Sequence, residues 1–215
     1  MTHGRFELAI FDLDGTLIDS ARDLAASVNR ALHKSSLPER PGDEVARFIG
    51  QGARRLVERA APAGSPPGVV DGLLAAFLED YALHLLDTTV LYPGVAELLA
   101  GPPELKAVAT NKPGALSRRI LAGLGVAARF VTVVGGDEAP RKPAPDMIER
   151  ILQSTGVPAT RAAFIGDSAI DVQTARAAGV AALAVGWGLG GPDELGGGDK
   201  FFATAGDLAR YFAAG

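Results

Sequence analysis

The sequence predicts an α/β protein: a doubly wound, Rossmann-like parallel-sheet core carrying an inserted α-helical cap domain. Three observations predict it. Short apolar runs at Leu8-Ala9-Ile10-Phe11, Ala107-Val108-Ala109, Phe130-Val131-Thr132-Val133-Val134, Ala163-Phe164-Ile165 and residues 181–185 are continuous rather than alternating, as in strands covered on both faces. Amphipathic stretches at 115–124, 145–155 and 170–178 separate the later runs, so strand and helix alternate. After the first run, residues 19–89 carry no strand signal at all.

That long stretch reads as helices. Ser20-Ala21-Arg22-Asp23 has the pattern of a capping box, and Leu24, Val28, Ala31 and Leu32 follow at helical spacing. Further helices are expected over 43–48, 53–61 and 67–86. The expected division is a core of residues 1–18 and 90–215 with a cap of 19–89, hinged near 15–19 and 87–93. No internal repeat is present.

Composition narrows the function classes. The chain has 215 residues, 25 acidic and 21 basic, for a net charge of −4, and is 47% hydrophobic. These are globular values, and 27 Gly with 14 Pro stay below the low-complexity range. The absence of cysteine excludes disulfides, thiolate metal sites and a cysteine nucleophile. No apolar run approaches the ~18 residues of a membrane span. Glu7, Asp12 and Asp14 precede any signal-type apolar core, so a cytoplasmic protein is expected. A mildly acidic chain offers no electrostatic case for nucleic acid, and nothing here sets the oligomeric state. With 16 Arg against five Lys, each lysine merits attention.

The candidate chemistry sits at the ends of the strands, where open α/β sheets bind ligands. Asp12 and Asp14 are two apart in an extended segment, so their side chains can share a face. Gly15 lets the backbone bend and turn N–H groups toward an anion. Thr110 and Asn111 offer a hydroxyl and backbone N–H groups to phosphate oxygens. Lys142 stands before a helix start, held extended by Pro143. Asp167 ends another strand in Ile165-Gly166-Asp167-Ser168, with Asp171 one helical turn on.

Taken in order, DxDxT, Thr, Lys and GDSxxD, the chain resembles the haloacid dehalogenase-like hydrolase superfamily along its whole length. The helical insert is similar to the cap of one large subgroup. The resemblance implies that Asp12 attacks phosphorus to form an aspartyl-phosphate, with Asp14 as acid and then base. Thr110, Lys142 and a metal would stabilise the transferring phosphoryl oxygens. Asp171 would support the metal shell or orient Lys142.

Asp12, Asp14 and Asp167 are the expected metal ligands, and an all-oxygen set suits Mg2+. Four ionised aspartates, one lysine and Mg2+ sum to −1, whereas without metal the site would be −3 and repel phosphate. Asp14 also departs from the dehalogenase pattern, since halide needs no acid to leave. It points to an ester of phosphate instead.

Residues 49–60, from Ile49-Gly50-Gln51-Gly52 through Arg54 and Arg55, look like the cap segment of phosphoglycolate phosphatases. The expected partner is thus a small phosphorylated metabolite, with Arg54 on its carboxylate. Alternatives are a β-phosphoglucomutase-like mutase, a broader sugar-phosphate or nucleotide phosphatase, and a non-enzymatic receiver-like domain, which leaves the insert unexplained. Trp187 either walls the entrance or packs at a strand end. His3, His33 and His84 lack metal-ligand spacing.

Overall fold

The computed structural model describes residues 6–190 and 197–214; His3 lies outside them. Six parallel strands form the core sheet: β1 (Leu8–Phe11), β4 (Leu105–Thr110), β5 (Thr132–Gly135), β6 (Ala162–Gly166), β7 (Ala181–Val185) and β8 (Lys200–Phe202). Their order is β5-β4-β1-β6-β7-β8, which puts β1 at the centre. Leu8 pairs with Leu105 on one side and with Ala162 on the other.

The central strands β1, β4 and β6 bury both faces. Leu8, Ile10, Ala109 and Phe164 pack with Met147, Ile151 and Val172, which belong to α7 (Asp146–Thr155) and α8 (Ala169–Ala177). Ala9, Phe11 and Val108 face the other way, against Leu98, Ile120 and Leu208. Those residues come from α5 (Val95–Ala100), α6 (Gly114–Gly123) and α9 (Ala205–Ala214). Deleting a ring as central as Phe164, 1% exposed, would cost about 3–5 kcal/mol.

Lys106 is buried in β4, with Nζ donating to the carbonyls of Gly101 (2.7 Å) and Pro103. It thereby satisfies the carbonyls of the C-cap of α5 and of the turn that follows it. The sequence reading missed β8, α5 and α9. β8 is a three-residue edge strand with one buried side chain, too short to show a pattern.

The inserted cap consists of α1 (Ala21–Lys34), α2 (Gly42–Ala46), α3 (Ala53–Ala60) and α4 (Pro67–Leu83). The chain enters and leaves it through a two-stranded antiparallel ribbon, β2 (Ile18–Asp19) against β3 (Val90–Leu91).

The expected capping box at Ser20 is not formed. Ser20 is the N-cap of α1 but makes no side-chain cap bond, because its hydroxyl goes to Asp14. Asp23 instead turns to the exit strand, accepting hydrogen bonds from the backbone N–H and hydroxyl groups of Thr88 and Thr89. Asp23 therefore ties the cap's first helix to its last segment. Among the described residues, no helix is long and apolar enough to cross a membrane.

Candidate active site

The sheet delivers the expected core residues to one edge. β1 ends into Asp12, β4 into Thr110 and Asn111, β6 into Asp167, and the segment after β5 carries Lys142. All five are buried. Lys142 Nζ lies 2.7 Å from Asp12 Oδ1 and 2.7 Å from Asp171 Oδ1.

Asp171 is fixed in turn by Ser168, whose backbone N–H and hydroxyl both donate to Asp171 Oδ2 (3.1 and 2.6 Å). This reciprocal pair is a capping box on α8. One carboxylate thus closes a helix and orients a lysine.

Asp167 is held by Thr16 Oγ1 on one oxygen (3.0 Å) and by the N–H groups of Leu189 and Gly190 on the other (2.8 and 3.1 Å). Gly15 sits over this carboxylate at φ +85°, where a Cβ would collide with it. The glycine is required by both conformation and space. Trp187 Nε1 donates to the Thr16 carbonyl (3.0 Å), so the indole braces the same turn.

Asn111 is a structural hub. Its Oδ1 accepts from the Lys142 N–H (2.9 Å), while Nδ2 donates to the carbonyls of Lys142 and of Gly50 in the cap (3.3 and 3.0 Å). It joins the Lys142 loop to the cap. Thr110 Oγ1 accepts from the Lys112 N–H (3.2 Å).

Asp14 is placed differently from Asp12. Its carboxylate receives Lys112 Nζ at both oxygens (2.7 and 2.9 Å) and the Ser20 hydroxyl. Lys112 is 6% exposed and was not singled out from the sequence, although a third consecutive polar residue after Thr110 and one of five lysines was a signal. Burial pulls its ammonium down, but Asp14 outweighs that and holds the pKa above the ordinary lysine value.

Among the described residues, oxygens of Asp12, Asp167 and Asp171 lie within 4.8 Å of one another. Asp14 is not in that group. Three buried carboxylates and the Lys142 ammonium leave a net −2. Burial pushes Asp12 up to about 7; Lys142 opposes this, while Asp171 and Asp167 reinforce it. Asp167 rises to about 6, through burial and then the Asp171 charge. Carboxylates forced toward their neutral form by burial and mutual repulsion, with only oxygen donors, fit a hard divalent cation.

A cavity of about 560 Å³ opens onto Asp12, Asp14, Asp167 and Ser168, with Ile49, Gly50, Arg47 and Arg59 on the cap side. Arg54 lines neither this cavity nor the adjoining cleft. It pairs with Asp71 and, at 3.8 Å, with Glu58 on the exposed face of α3. Arg55 pairs with Glu58 as well. His84 meets Asp87, and His33 approaches Glu39.

A strand-edge aspartate bound to a buried lysine, beside a carboxylate cluster under a helical cap, defines a hydrolase of a recognisable kind. Residues 9–185 match the model of the haloacid dehalogenase-like hydrolase family. The chain belongs to that family. It is 40% identical over 190 residues to a phosphoglycolate phosphatase of Rhodospirillum rubrum, covering 83% of this chain and 79% of that protein. It is 38% identical over 191 residues to one of Pseudomonas syringae pv. tomato, covering 85% and 70%.

A crystal structure described as a predicted phosphoglycolate phosphatase from Haemophilus somnus superposes with a TM-score of 0.88 at 31% identity, covering 96% of this chain and 97% of that one. Within the family, this enzyme is a phosphatase.

Proposed function

We propose that the enzyme hydrolyses 2-phosphoglycolate or a closely similar small phosphorylated acid, with Mg2+, through a phosphoryl group carried on Asp12. The observation that carries the reading is the Asp12 carboxylate, ion-paired to buried Lys142 and open to the cavity. Asp12 attacks phosphorus in line, and the leaving alkoxide departs as the alcohol.

Asp14 supplies that proton and later takes one from the attacking water. Lys142 holds the nucleophile in place and offsets charge on the phosphoryl oxygens. Asp12, Asp167 and Asp171 would hold the cation; Asp14, expected as a ligand, contributes to the site through its position beside them. Bound Mg2+ would supply positive charge against the phosphoryl oxygens and let the clustered carboxylates ionise together.

The substrate assignment draws on the names of the relatives and on a cavity roofed by a cap. We propose the cap as residues 19–89, with the core as 1–18 and 90–215; the paired crossing at Ile18–Leu91 and Asp19–Val90 supports hinges there. A cytoplasmic location suits a substrate whose charge confines it to the compartment where it is made.

The test is phosphate release in Mg2+ from a panel of 2-phosphoglycolate, sugar phosphates, nucleotides and pyrophosphate, with Asp12→Asn as blank. A clear preference for 2-phosphoglycolate is expected. Even hydrolysis across the panel contradicts the substrate assignment.

A further inference from the structure

The cleft beside Asp14 contains two buried polar groups with unfilled hydrogen-bonding capacity. An ammonium has three N–H donors; Lys112 Nζ gives two to Asp14, and the Tyr81 side chain stands near the third without closing a full hydrogen bond. The Tyr81 hydroxyl, on a residue 1% exposed, has no hydrogen-bond partner among the described residues. Both line one cleft, with the Lys112 ammonium 4.8 Å from the centre of the Tyr81 ring. Tyr81 is itself fixed by stacking on Phe77, with ring centres 5.5 Å apart. Buried polar groups are ordinarily satisfied, so two in one cleft mark a place for a ligand.

Most of the remaining lining is apolar, from Leu24, Ile49, Leu56, Phe77, Leu78 and Leu116, with Thr110 and Asn111 at the core edge. The cleft shares Asp12 and Asp14 with the large cavity, so a ligand there would reach the reacting phosphorus. The geometry points to Lys112 and Tyr81 as the subsite that reads a carboxylate on the leaving group. This inference rests on the phosphatase reading above and deepens it.

The ammonium's third N–H and the phenol each meet one carboxylate oxygen, while the apolar side chains around them accept a short carbon unit and leave most hydroxyls of a sugar without partners. The cleft encloses only about 30 Å³, so only a short unit fits. Lys112 and Tyr81 take the specificity role expected of Arg54.

The experiment compares wild type, Lys112→Met and Tyr81→Phe on 2-phosphoglycolate and on ethyl phosphate, in which a methyl group replaces the carboxylate. The ratio of kcat/KM values between the two substrates cancels damage that Lys112→Met does to Asp14. That ratio should fall about tenfold or more in Lys112→Met and severalfold in Tyr81→Phe, in the latter through KM. Equal losses on both substrates, or an unchanged ratio in Tyr81→Phe, overturn the assignment.

Tyr81→Phe removes only an unpartnered hydroxyl, so it remains informative if Lys112→Met does not fold. A second arm uses glycolate as a competitive inhibitor of ethyl phosphate hydrolysis. Inhibition of wild type that weakens in both variants supports the subsite, even where 2-phosphoglycolate proves not to be the preferred ester. No inhibition of wild type by glycolate rejects the subsite.

Discussion

On the core side of the cavity the charged groups are buried and paired, whereas on the cap side Arg54 and Arg55 turn outward, Arg47 and Arg59 reach the cavity, and the side chains turned into the adjoining cleft are apolar or aromatic. Asp12, Asp167, Asp171 and Lys142 are each 5% exposed or less; Lys142 bridges Asp12 and Asp171 at 2.7 Å, and Asp167 is held by Thr16 and two backbone N–H groups. Arg54 and Arg55, by contrast, spend their charge on Asp71 and Glu58 at the surface. The cap contributes Ile49, Leu56, Phe77 and Tyr81 to the cleft. The core side is therefore arranged for chemistry on a highly charged group, and the cap side for excluding water from it.

The largest effect is expected at Asp12. Asp12→Asn should lower turnover by about four orders of magnitude or more with the circular-dichroism spectrum unchanged; activity near wild type would end the nucleophile assignment. Next comes the cation. Excess EDTA should silence phosphate release and Mg2+ should restore it.

Cation binding favours ionised ligands, and the metal-free Asp12 and Asp167 carboxyls stand near 7 and 6. Apparent Mg2+ affinity, followed by calorimetry, should thus rise as pH increases through that range. A pH-independent affinity would separate the cation from this cluster.

A third variant, Lys142→Met, leaves Asp12 and Asp171 buried without their cation. Removing one partner of a buried pair costs about 3–5 kcal/mol, readable by urea unfolding. A loss below about 1 kcal/mol would mean the pair is better solvated than its burial indicates.

Asp23 sharpens the contrast at the hinge. Burial pushes its carboxyl up, but the bonds from Thr88 and Thr89 prevail and hold the pKa below the usual aspartate value. A depressed folded pKa gives stability that is present above the unfolded value of 3.8 and is lost as pH falls through the lower folded value. Asp23→Asn should lose that acid-side dependence and destabilise by about 1–3 kcal/mol.

The smallest effect belongs to Arg54→Ala. With its guanidinium at the surface, activity on 2-phosphoglycolate and on ethyl phosphate should change little and equally. A selective loss on the carboxylate substrate would return Arg54 to the site.

What could be read from sequence follows the same division. Strand ends in a parallel sheet converge by construction, so Asp12, Thr110, Lys142 and Asp167 were legible from order and spacing. The cap depends on helix phase. Ala53, Leu56, Val57 and Ala60 recur at i, i+3, i+4 and i+7, which already turns Arg54 and Arg55 outward; the phase was there to be read.

Ser20 and Asp23 fit a capping pattern locally, but tertiary partners, Asp14 and Thr88–Thr89, took both side chains. Lys112 and Tyr81 meet only because α4 folds back over the end of β4, a contact between distant segments that no local pattern encodes. The ribbon of β2 and β3, two residues each, is likewise too short to announce itself.

In the proposed reaction Asp12 carries the phosphoryl group. The most direct measurement is rapid acid quenching of enzyme turning over phosphate-labelled 2-phosphoglycolate, followed by peptide mapping. Acid-stable label is expected on the peptide containing Asp12 and absent from Asp12→Asn. Rapid turnover by wild type with no label on that peptide at any quench time, or label on another residue, would contradict that role for Asp12.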